Sequence, residues 1–354
     1  MSVPPATDLI PLLDFRHFDA GAAARTTFLS QLRAAAHEVG FFYLHGHGIA
    51  PELHDDLMDV ARRFFSLPQE QKLAIEMVNS PHFRGYNRVA SEYTRGRRDW
   101  REQVDIGFEN PAPGHDPAAP VWARLRGPNQ WPAALPELRT ITTRWQAATM
   151  QLAIRLLQAF ALMLGQAEDA FAPLYWNEPH CLVKLIRYPG RDATGDEQGV
   201  GAHKDSELLT LLLQDERAGL QVEASHGWVD VPPRSGTLVV NIGELLELAT
   251  DGYLRATMHR VIAPPAGIER FSAAFFFGAQ LDATVPLLEL PPALAGGARG
   301  PARDPNNPLF REVGLNYLKG RLRSHPDVAD RYYADVVRRF APDQPASAAK
   351  RSRV

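Results

Sequence analysis

The amino-acid sequence predicts a mainly β fold with flanking helices, in which a helical N-terminal half supports a C-terminal β-sandwich. The first observation is a change of pattern after about residue 178, where short β-type runs replace helical periodicity. Turn-forming residues separate these runs, which is typical of antiparallel sandwiches and barrels. The 29 prolines and 26 glycines also favour a loop-rich fold over a helical bundle.

The N-terminal half alternates short apolar runs with amphipathic helical patterns. Residues 10–15 predict an opening strand, and residues 27–39 predict a helix that ends at Gly40. Residues 41–44 predict a buried strand, and residues 51–65 predict a second amphipathic helix. The remaining predictions for this half are a helical turn opened by Pro68, a surface connection over residues 111–132 and a long helix over residues 136–164.

The C-terminal half carries the predicted sandwich. Its β-type runs are residues 181–188, 208–214, 220–222, 237–242, 257–262 and 271–277. A proline-rich loop at residues 286–308 and closing helical turns at residues 320–340 follow. The predicted organisation is an N-terminal mixed region over residues 1–110, a connecting loop and support helix over 111–177, a β-rich core over 178–285, a C-terminal loop with helices over 286–341 and a flexible tail over 342–354.

Composition and charge argue against several classes of function. A formal net charge of −3 gives no reason to expect nucleic acid or a membrane surface as a partner. A single cysteine, Cys181, excludes an intramolecular disulfide and a cysteine-based zinc site. Residues 1–14 lack the features of a secretory signal, and no stretch reaches the apolar length of a membrane span. We therefore expect a cytoplasmic protein, whose oligomeric state the composition leaves open.

A candidate metal site lies in the C-terminal half. His203 and Asp205 are two residues apart, so on an extended segment their side chains project from the same face. His259, on a later β-type run, supplies a second imidazole. Two histidines and one carboxylate on one face of an octahedron leave three positions open, which suits iron(II) better than zinc, magnesium or calcium.

A candidate anion site follows in the sequence. Arg270 and Ser272 share one face of the strand that begins after the turn at residues 264–267. If this strand and the preceding one form a hairpin, His259 lies opposite Ser272 and Val261 lies opposite Arg270. An arginine with a neighbouring serine can bind a carboxylate through several hydrogen bonds. The pair therefore indicates a receptor for a small dicarboxylate that chelates the iron.

The chain closely resembles the iron(II)/2-oxoglutarate-dependent dioxygenases, in particular the branch that contains isopenicillin N synthase and plant flavonoid and gibberellin oxygenases. The similarity extends roughly over residues 10–333. Its ordered motifs are the segments 32–49, 185–189, 199–215, 219–222, 228–231 and 238–243, then His259-Arg260-Val261 and Arg270-Phe271-Ser272.

The resemblance implies a double-stranded β-helix, or jelly roll, as the catalytic core over residues 178–285. It implies Fe(II), dioxygen and the cosubstrate 2-oxoglutarate, with ascorbate as a candidate reductant. It also implies that Arg270, Ser272 and Tyr188 hold the distal carboxylate of the cosubstrate. The enzyme would hydroxylate, desaturate or cyclise a small organic molecule and release succinate and carbon dioxide.

Two other functions remain open from the sequence. One is an iron oxidase like isopenicillin N synthase, which does not use 2-oxoglutarate, because such relatives use a similar arginine–serine pair for their own substrate. The other is a non-catalytic jelly-roll protein that binds a ligand. The intact set of His203, Asp205 and His259 argues against the second.

Several further residues are weaker candidates. Asn241 could hydrogen-bond near the cosubstrate or satisfy core backbone, and His45 with His47 could be read as a metal pair, although a turn explains them better. Lys204 stands where family members often have threonine, and we expect its side chain to point away from the metal. The candidates for the substrate pocket are Tyr86, Arg84 and Phe275, with Trp100 and Arg101 as further options.

Overall fold

The computed structural model describes residues 9–114, 116, 118–191, 198–302, 304 and 307–340. Within them, two β-sheets pack face to face and helices cover one side. The helices are α1 (Ala22–Ala34), α2 (Pro51–Phe65), α3 (Gln69–Leu73), α4 (Glu137–Met163), α5 (Glu244–Ala249), α6 (Pro292–Ala295), α7 (Val313–Ser324), α8 (Pro326–Tyr332) and α9 (Ala334–Phe340).

The strands fall into a large sheet, a small sheet and a separate two-stranded ribbon. The large sheet has eight strands in the order β1-β2-β12-β9-β14-β7-β6-β3, the small sheet has the order β11-β10-β13-β8, and β4 pairs with β5. The strands are β1 (Leu12–Asp14), β2 (Phe41–His45), β3 (Gly85–Asn87), β4 (Tyr93–Thr94), β5 (Arg97–Arg98), β6 (Glu102–Gly107), β7 (Cys181–Pro189), β8 (Gln198–His203), β9 (Leu209–Gln214), β10 (Leu220–Ala224), β11 (Gly227–Asp230), β12 (Leu238–Ile242), β13 (His259–Ile262) and β14 (Glu269–Phe277).

The two faces of the large sheet have different neighbours. On β14, Phe271, Ala273, Phe275 and Phe277 belong to the large apolar cluster formed with the helices, and Phe275 lies edge-on to Trp145 of α4 at 6.3 Å. Because side chains alternate along a strand, Arg270, Ser272, Ala274 and Phe276 point the other way, into the space between the sheets. A second apolar cluster, which includes Tyr43, Ile186 and Val261, fills part of that space.

This architecture confirms the predicted mainly β fold but corrects the division into halves. The N-terminal strands β1, β2, β3 and β6 join the large sheet, so the N-terminal region does more than support a separate sandwich. Strand β6 was not predicted because Glu102, Gln103 and Asp105 make it polar in sequence. All three are nevertheless buried, with partners such as Lys72 for Glu102 at 3.0 Å.

The predicted hairpin between the runs that carry His259 and Arg270 is wrong. Strand β13 pairs with β10 and β8 in the small sheet, whereas β14 pairs with β7 and β9 in the large sheet. The connection between them therefore crosses from one sheet to the other. His259 and Arg270 still face the same interior, but from opposite sheets, because their non-local partners outweigh the local pairing.

Two of the remaining predictions are confirmed, and a third lies outside the described residues. The helix predicted at residues 51–65 is confirmed as α2, and the closing helical turns are α7 to α9. The tail predicted at residues 342–354 lies outside the described residues. None of the described helices combines the length and the apolar character that crossing a membrane requires.

Gly40 is a point where the backbone leaves no room for a side chain. It ends the helical segment before β2 with a φ of +76°, and an added Cβ would lie 2.2 Å from the carbonyl oxygen of Arg255. The Oγ1 atom of Thr257 would lie 2.6 Å away. This close approach matters for function because the segment from Arg255 to Thr257 leads into β13 and His259.

Replacing Gly40 by alanine should therefore lower the free energy of unfolding by about 2–5 kcal/mol, since left-handed strain and steric overlap add. The matched control is Gly48→Ala, where φ is +80° but nothing lies within 4 Å of the added Cβ. That variant should lose only about 1–2 kcal/mol. Denaturant titrations of both proteins measure the difference, and equal losses would contradict the steric explanation.

Candidate metal centre

Three side chains from different segments converge between the sheets. His203 ends β8, Asp205 follows in the next loop and His259 begins β13, where it lies opposite His203 in the antiparallel register. The Oδ1 atom of Asp205 is 3.5 Å from the Nε2 atoms of both histidines. One potential ligand atom from each residue lies within 4.8 Å of the others. No other group of this kind occurs in the described ranges.

The hydrogen bonds of the two imidazoles determine which ring nitrogen is free. Nδ1 of His203 lies 2.8 Å from the carbonyl oxygen of Gly201, and Nδ1 of His259 lies 3.1 Å from that of Thr257. Since a carbonyl oxygen can only accept, both Nδ1 atoms carry the proton in the neutral rings. Both Nε2 lone pairs therefore point toward Asp205 and are available to a metal ion.

Two neutral side chains orient the carboxylate of Asp205. The Oγ1 atom of Thr210 and the Nδ2 atom of Asn241 donate to its Oδ2 at 2.5 and 2.7 Å. Thr210 on β9 and Asn241 on β12 are neighbours in the large sheet, so both point into the interior. Their bonds occupy Oδ2 and leave Oδ1 facing the histidines.

The electrostatic environment keeps Asp205 ionised. Burial alone raises the pKa of the carboxyl group, but the positive charge of protonated His259 and the hydrogen bonds that the protonated Nε2 atoms of His203 and His259 donate outweigh burial. The net result is a pKa well below the usual value. When a metal ion takes the place of the Nε2 protons, two neutral imidazoles and one ionised carboxylate form the donor set expected for a ferrous ion with open positions.

The candidate cosubstrate residues lie deeper in the same interior. Arg270 is fully buried, lies opposite Tyr188 in the register and has its guanidinium 4.9 Å from the centre of the Tyr188 ring. Its Nε and Nη2 atoms donate to the carbonyl oxygen of Arg217 and to Gln214 Oε1. Its Nη1 atom and the Oγ atom of Ser272 are buried without a partner among the described residues. Two orphaned donors on one strand face are the arrangement that a carboxylate would satisfy.

A cavity of about 830 Å³ opens at the metal group. His203 and Asp205 lie in its wall, together with Leu182 of β7 and Phe276 of β14, and α7 contributes several of the other lining residues. Arg270 and Ser272 do not line this cavity, since they lie further along the inner face of the sheet.

The structure does not bring the three predicted substrate-pocket residues to this cavity. Tyr86 is on the edge strand β3, and its hydroxyl donates to Glu102 at 2.5 Å. Arg84 is buried, and its guanidinium donates to the carbonyl oxygens of His82 and Leu125. Phe275 faces α4 on the outer side of the sheet. Of the further options, Arg101 lines the cavity and Trp100 does not.

Other candidates have different contacts from those considered in the sequence. Asn241 contacts Asp205, so its visible contact is with the metal group and not with core backbone. The ammonium of Lys204 donates to both carboxylate oxygens of Glu247 at 2.9 and 3.0 Å. His45 and His47 do not belong to any metal-ligating group within the described part of the chain.

Some residues at the site were missed by sequence reasoning. Thr210 lies in a run that was predicted as a strand and as part of a family-like motif, but the residue itself was not singled out, although its polar side chain could have signalled a role inside the sandwich. Glu207 and Glu244 line the cavity, and burial raises their pKa values to about 8 and about 7, respectively, against ordinary values of 4.5. No local pattern separates these two acids from surface glutamates.

Comparison with known proteins agrees with this geometry. A family model described as the N-terminal region of a non-haem dioxygenase in morphine synthesis matches residues 10–134, and that of the 2OG-Fe(II) oxygenase superfamily matches residues 179–279. The 2-oxoglutarate-dependent dioxygenase frbJ of Dothideomycetidae sp. (strain 11243) is 36% identical, over 93% of this chain and 94% of its own.

A plant hydroxylase and a fungal crystal structure are also similar to this chain. Homoarginine-6-hydroxylase 2-ODD-C23 of Glycine max is 34% identical, over 83% of this chain and 88% of its own. A crystal structure of Neurospora crassa T7H in complex with alpha-KG and 5-formyluracil has a TM-score of 0.68 at 26% identity, covering 81% of this chain and 90% of that one. The chain therefore belongs to the iron(II)- and 2-oxoglutarate-dependent dioxygenases, with their jelly-roll fold and their need for Fe(II) and 2-oxoglutarate.

Proposed function

We propose that this enzyme hydroxylates, desaturates or cyclises a small organic molecule, with His203, Asp205 and His259 as the iron ligands. Arg270, Ser272 and Tyr188 would hold the distal carboxylate of 2-oxoglutarate. The observation that supports this proposal best is the convergence of three ligand atoms in the same interior as two orphaned carboxylate donors. When bound, Fe(II) and 2-oxoglutarate supply an oxidant from dioxygen, with succinate and carbon dioxide as by-products.

The chain's own residues bind and orient the reactants. The backbone carbonyls behind His203 and His259 fix the tautomers that can ligate, and Asp205 contributes the negative charge that offsets part of the metal's charge. Arg270 can present its free Nη1 beside the Ser272 hydroxyl, so a carboxylate receives two hydrogen bonds. The apolar cluster between the sheets excludes water from this end of the interior.

Two features of the relatives support the choice of reaction and substrate class. Their names include a homoarginine-6-hydroxylase, and the Neurospora crassa structure holds 5-formyluracil, so both concern small molecules. The alternative of an oxidase that does not need 2-oxoglutarate is not favoured, because the frbJ name and the ligand of the Neurospora crassa structure both specify 2-oxoglutarate.

Replacing His259 by alanine should abolish iron binding and turnover, because one of three protein ligands is lost. The measurement is an anaerobic Fe(II) titration combined with succinate formation from 2-oxoglutarate. His226→Ala, which removes an exposed histidine, is the control and should behave as the unchanged protein. Full activity of the His259 variant would refute the ligand assignment.

Replacing Arg270 by methionine should raise the KM for 2-oxoglutarate about 10- to 100-fold. A hydrogen bond to a charged group contributes about 1.5–3 kcal/mol, and each 1.4 kcal/mol corresponds to a factor of ten. The matched control is Arg260→Met, because Arg260 stacks on Trp228 and bonds to Gln221 at the small sheet. Succinate formation against 2-oxoglutarate concentration checks the prediction, and an unchanged KM in the Arg270 variant would count against it.

The double replacement Thr210→Val and Asn241→Leu should weaken Fe(II) binding about 10- to 100-fold, as is typical when the hydrogen bonds behind a metal ligand are removed. The single replacement Thr210→Ser keeps the hydroxyl donor, so this variant should retain most of the Fe(II) affinity. Thr237→Val, at a threonine that bonds only to the backbone of Arg234, controls for the loss of a hydroxyl. If the double variant binds iron as tightly as the original, Asp205 does not depend on these two donors.

A further inference from the structure

The two strands that carry the histidine ligands are irregularly paired near the metal group. His203 is the last residue of β8 and His259 is the first residue of β13, so each lies at the end of its strand. Next along the ladder Val261 lies opposite Val200, one residue further than regular pairing from the histidines would place it. Asp205 follows in the loop, outside the ladder. Because the ladder is interrupted here, backbone pairing alone does not fix the separation of the three ligands.

Helix α5 lies against the loop that carries Asp205. The first backbone N–H groups of a helix have no acceptor within the helix and need partners elsewhere. In α5 the N–H of Glu244 donates to the carbonyl oxygen of Asp205 at 2.8 Å, and the N–H of Leu245 donates to that of Glu207 at 3.2 Å. The loop is therefore attached to the start of α5, and a side chain of this helix can connect the loop to another segment.

Glu247 of α5 makes such a connection, because it contacts both segments that carry the ligands. Its two carboxylate oxygens accept from the ammonium of Lys204 at 3.0 and 2.9 Å, and Lys204 stands between the first two ligands in the sequence. Its Oε1 atom also accepts from the backbone N–H of Ala256 at 3.3 Å, in the segment that leads to His259. Glu247 is only 6% exposed, so these charge-assisted hydrogen bonds are largely shielded from water.

We propose that Glu247 is a positioning residue for the metal ligands. With one carboxylate it holds Lys204 and Ala256, and through them the backbone of both ligand-bearing segments, at a fixed separation. Less ordering of the ligands is then needed when a metal ion binds, which favours binding. This inference rests on the proposed function, because it requires that the three assigned ligands bind one metal ion together.

Titration of the full-length protein with Co(II) tests this role, because the visible absorption of bound Co(II) depends on the geometry of its ligands. Glu247→Gln keeps the shape of the side chain but loses its charge and one acceptor oxygen. This variant should bind Co(II) at least about fivefold more weakly, somewhat less than the loss of about 10- to 100-fold typical for groups that bond directly to a metal ligand. The visible spectrum should also change. Unchanged affinity and spectrum would overturn the proposal.

Lys204→Met separates positioning from a simple effect of charge. This variant leaves the negative charge of Glu247 without its counter-charge, so an effect of charge alone would make Co(II) binding tighter. Positioning predicts weaker binding in both single variants. It also predicts that the double variant loses less affinity than the product of the single losses, because both changes break the same ion pair. Tighter binding by Lys204→Met, or losses that multiply in the double variant, would overturn the proposal.

The buried ion pair of Lys72 and Glu102 supplies matched controls. The Nζ and Oε2 atoms of this pair are 3.0 Å apart, and neither residue lines the cavity. Lys72→Met and Glu102→Gln should lower the thermal stability, as the loss of one partner of a buried ion pair does, but leave the Co(II) affinity and spectrum unchanged. If these variants weaken Co(II) binding as much as Glu247→Gln does, the effect of Glu247 is a general loss of structure and the proposal is overturned.

His259→Ala distinguishes failure of this inference from failure of the ligand assignment. Loss of Co(II) binding in His259→Ala, together with unchanged binding in Glu247→Gln, overturns the positioning role alone. Full Co(II) binding in His259→Ala contradicts the ligand assignment, and the positioning role falls with it. Loss of binding in His259→Ala and weaker binding with an altered spectrum in Glu247→Gln support both.

Discussion

The orientation of one carboxylate is the constraint on which the rest of the site depends. Asp205 lies in the loop after strand β8 of the small sheet. Thr210 and Asn241, which belong to the large sheet, donate hydrogen bonds to its Oδ2. This pair of hydrogen bonds joins the two sheets at the point where the histidines converge. A jelly roll suits this purpose because it turns strands that are distant in sequence toward a single interior.

The alternation of side chains along the strands divides that interior into zones. On β14, Phe276 lies at the cavity end and Arg270 at the closed end, with Ser272 between them. On β7, Leu182 and Tyr188 occupy the corresponding positions opposite them. A linear dicarboxylate can therefore extend from the metal group toward Arg270, while a substrate approaches from the cavity. In the proposed function, the same two strands would separate the cosubstrate from the substrate.

Local sequence patterns predicted much of this arrangement, and pairing between distant segments explains the rest. The apolar runs of β7, β9 and β14 were recognisable, and the spacing of His203 and Asp205 indicated a shared face. Strand β6 was not recognisable from its sequence, because its burial depends on partners far away in sequence. Tyr86 and Phe275 do not line the cavity for a similar reason, since the strand order decides which face or edge they occupy. Glu244 could not be found because only the packing of α5 brings it to the cavity.

The most direct test of the central claim is visible absorption spectroscopy of the protein under anaerobic conditions during titration with Fe(II) and 2-oxoglutarate. A keto acid that chelates a ferrous ion produces a charge-transfer band, which neither component produces alone. The account predicts such a band, saturating at one iron per chain and absent after Asp205→Ala. No band with the unchanged protein, or an equal band with the Asp205 variant, would contradict it.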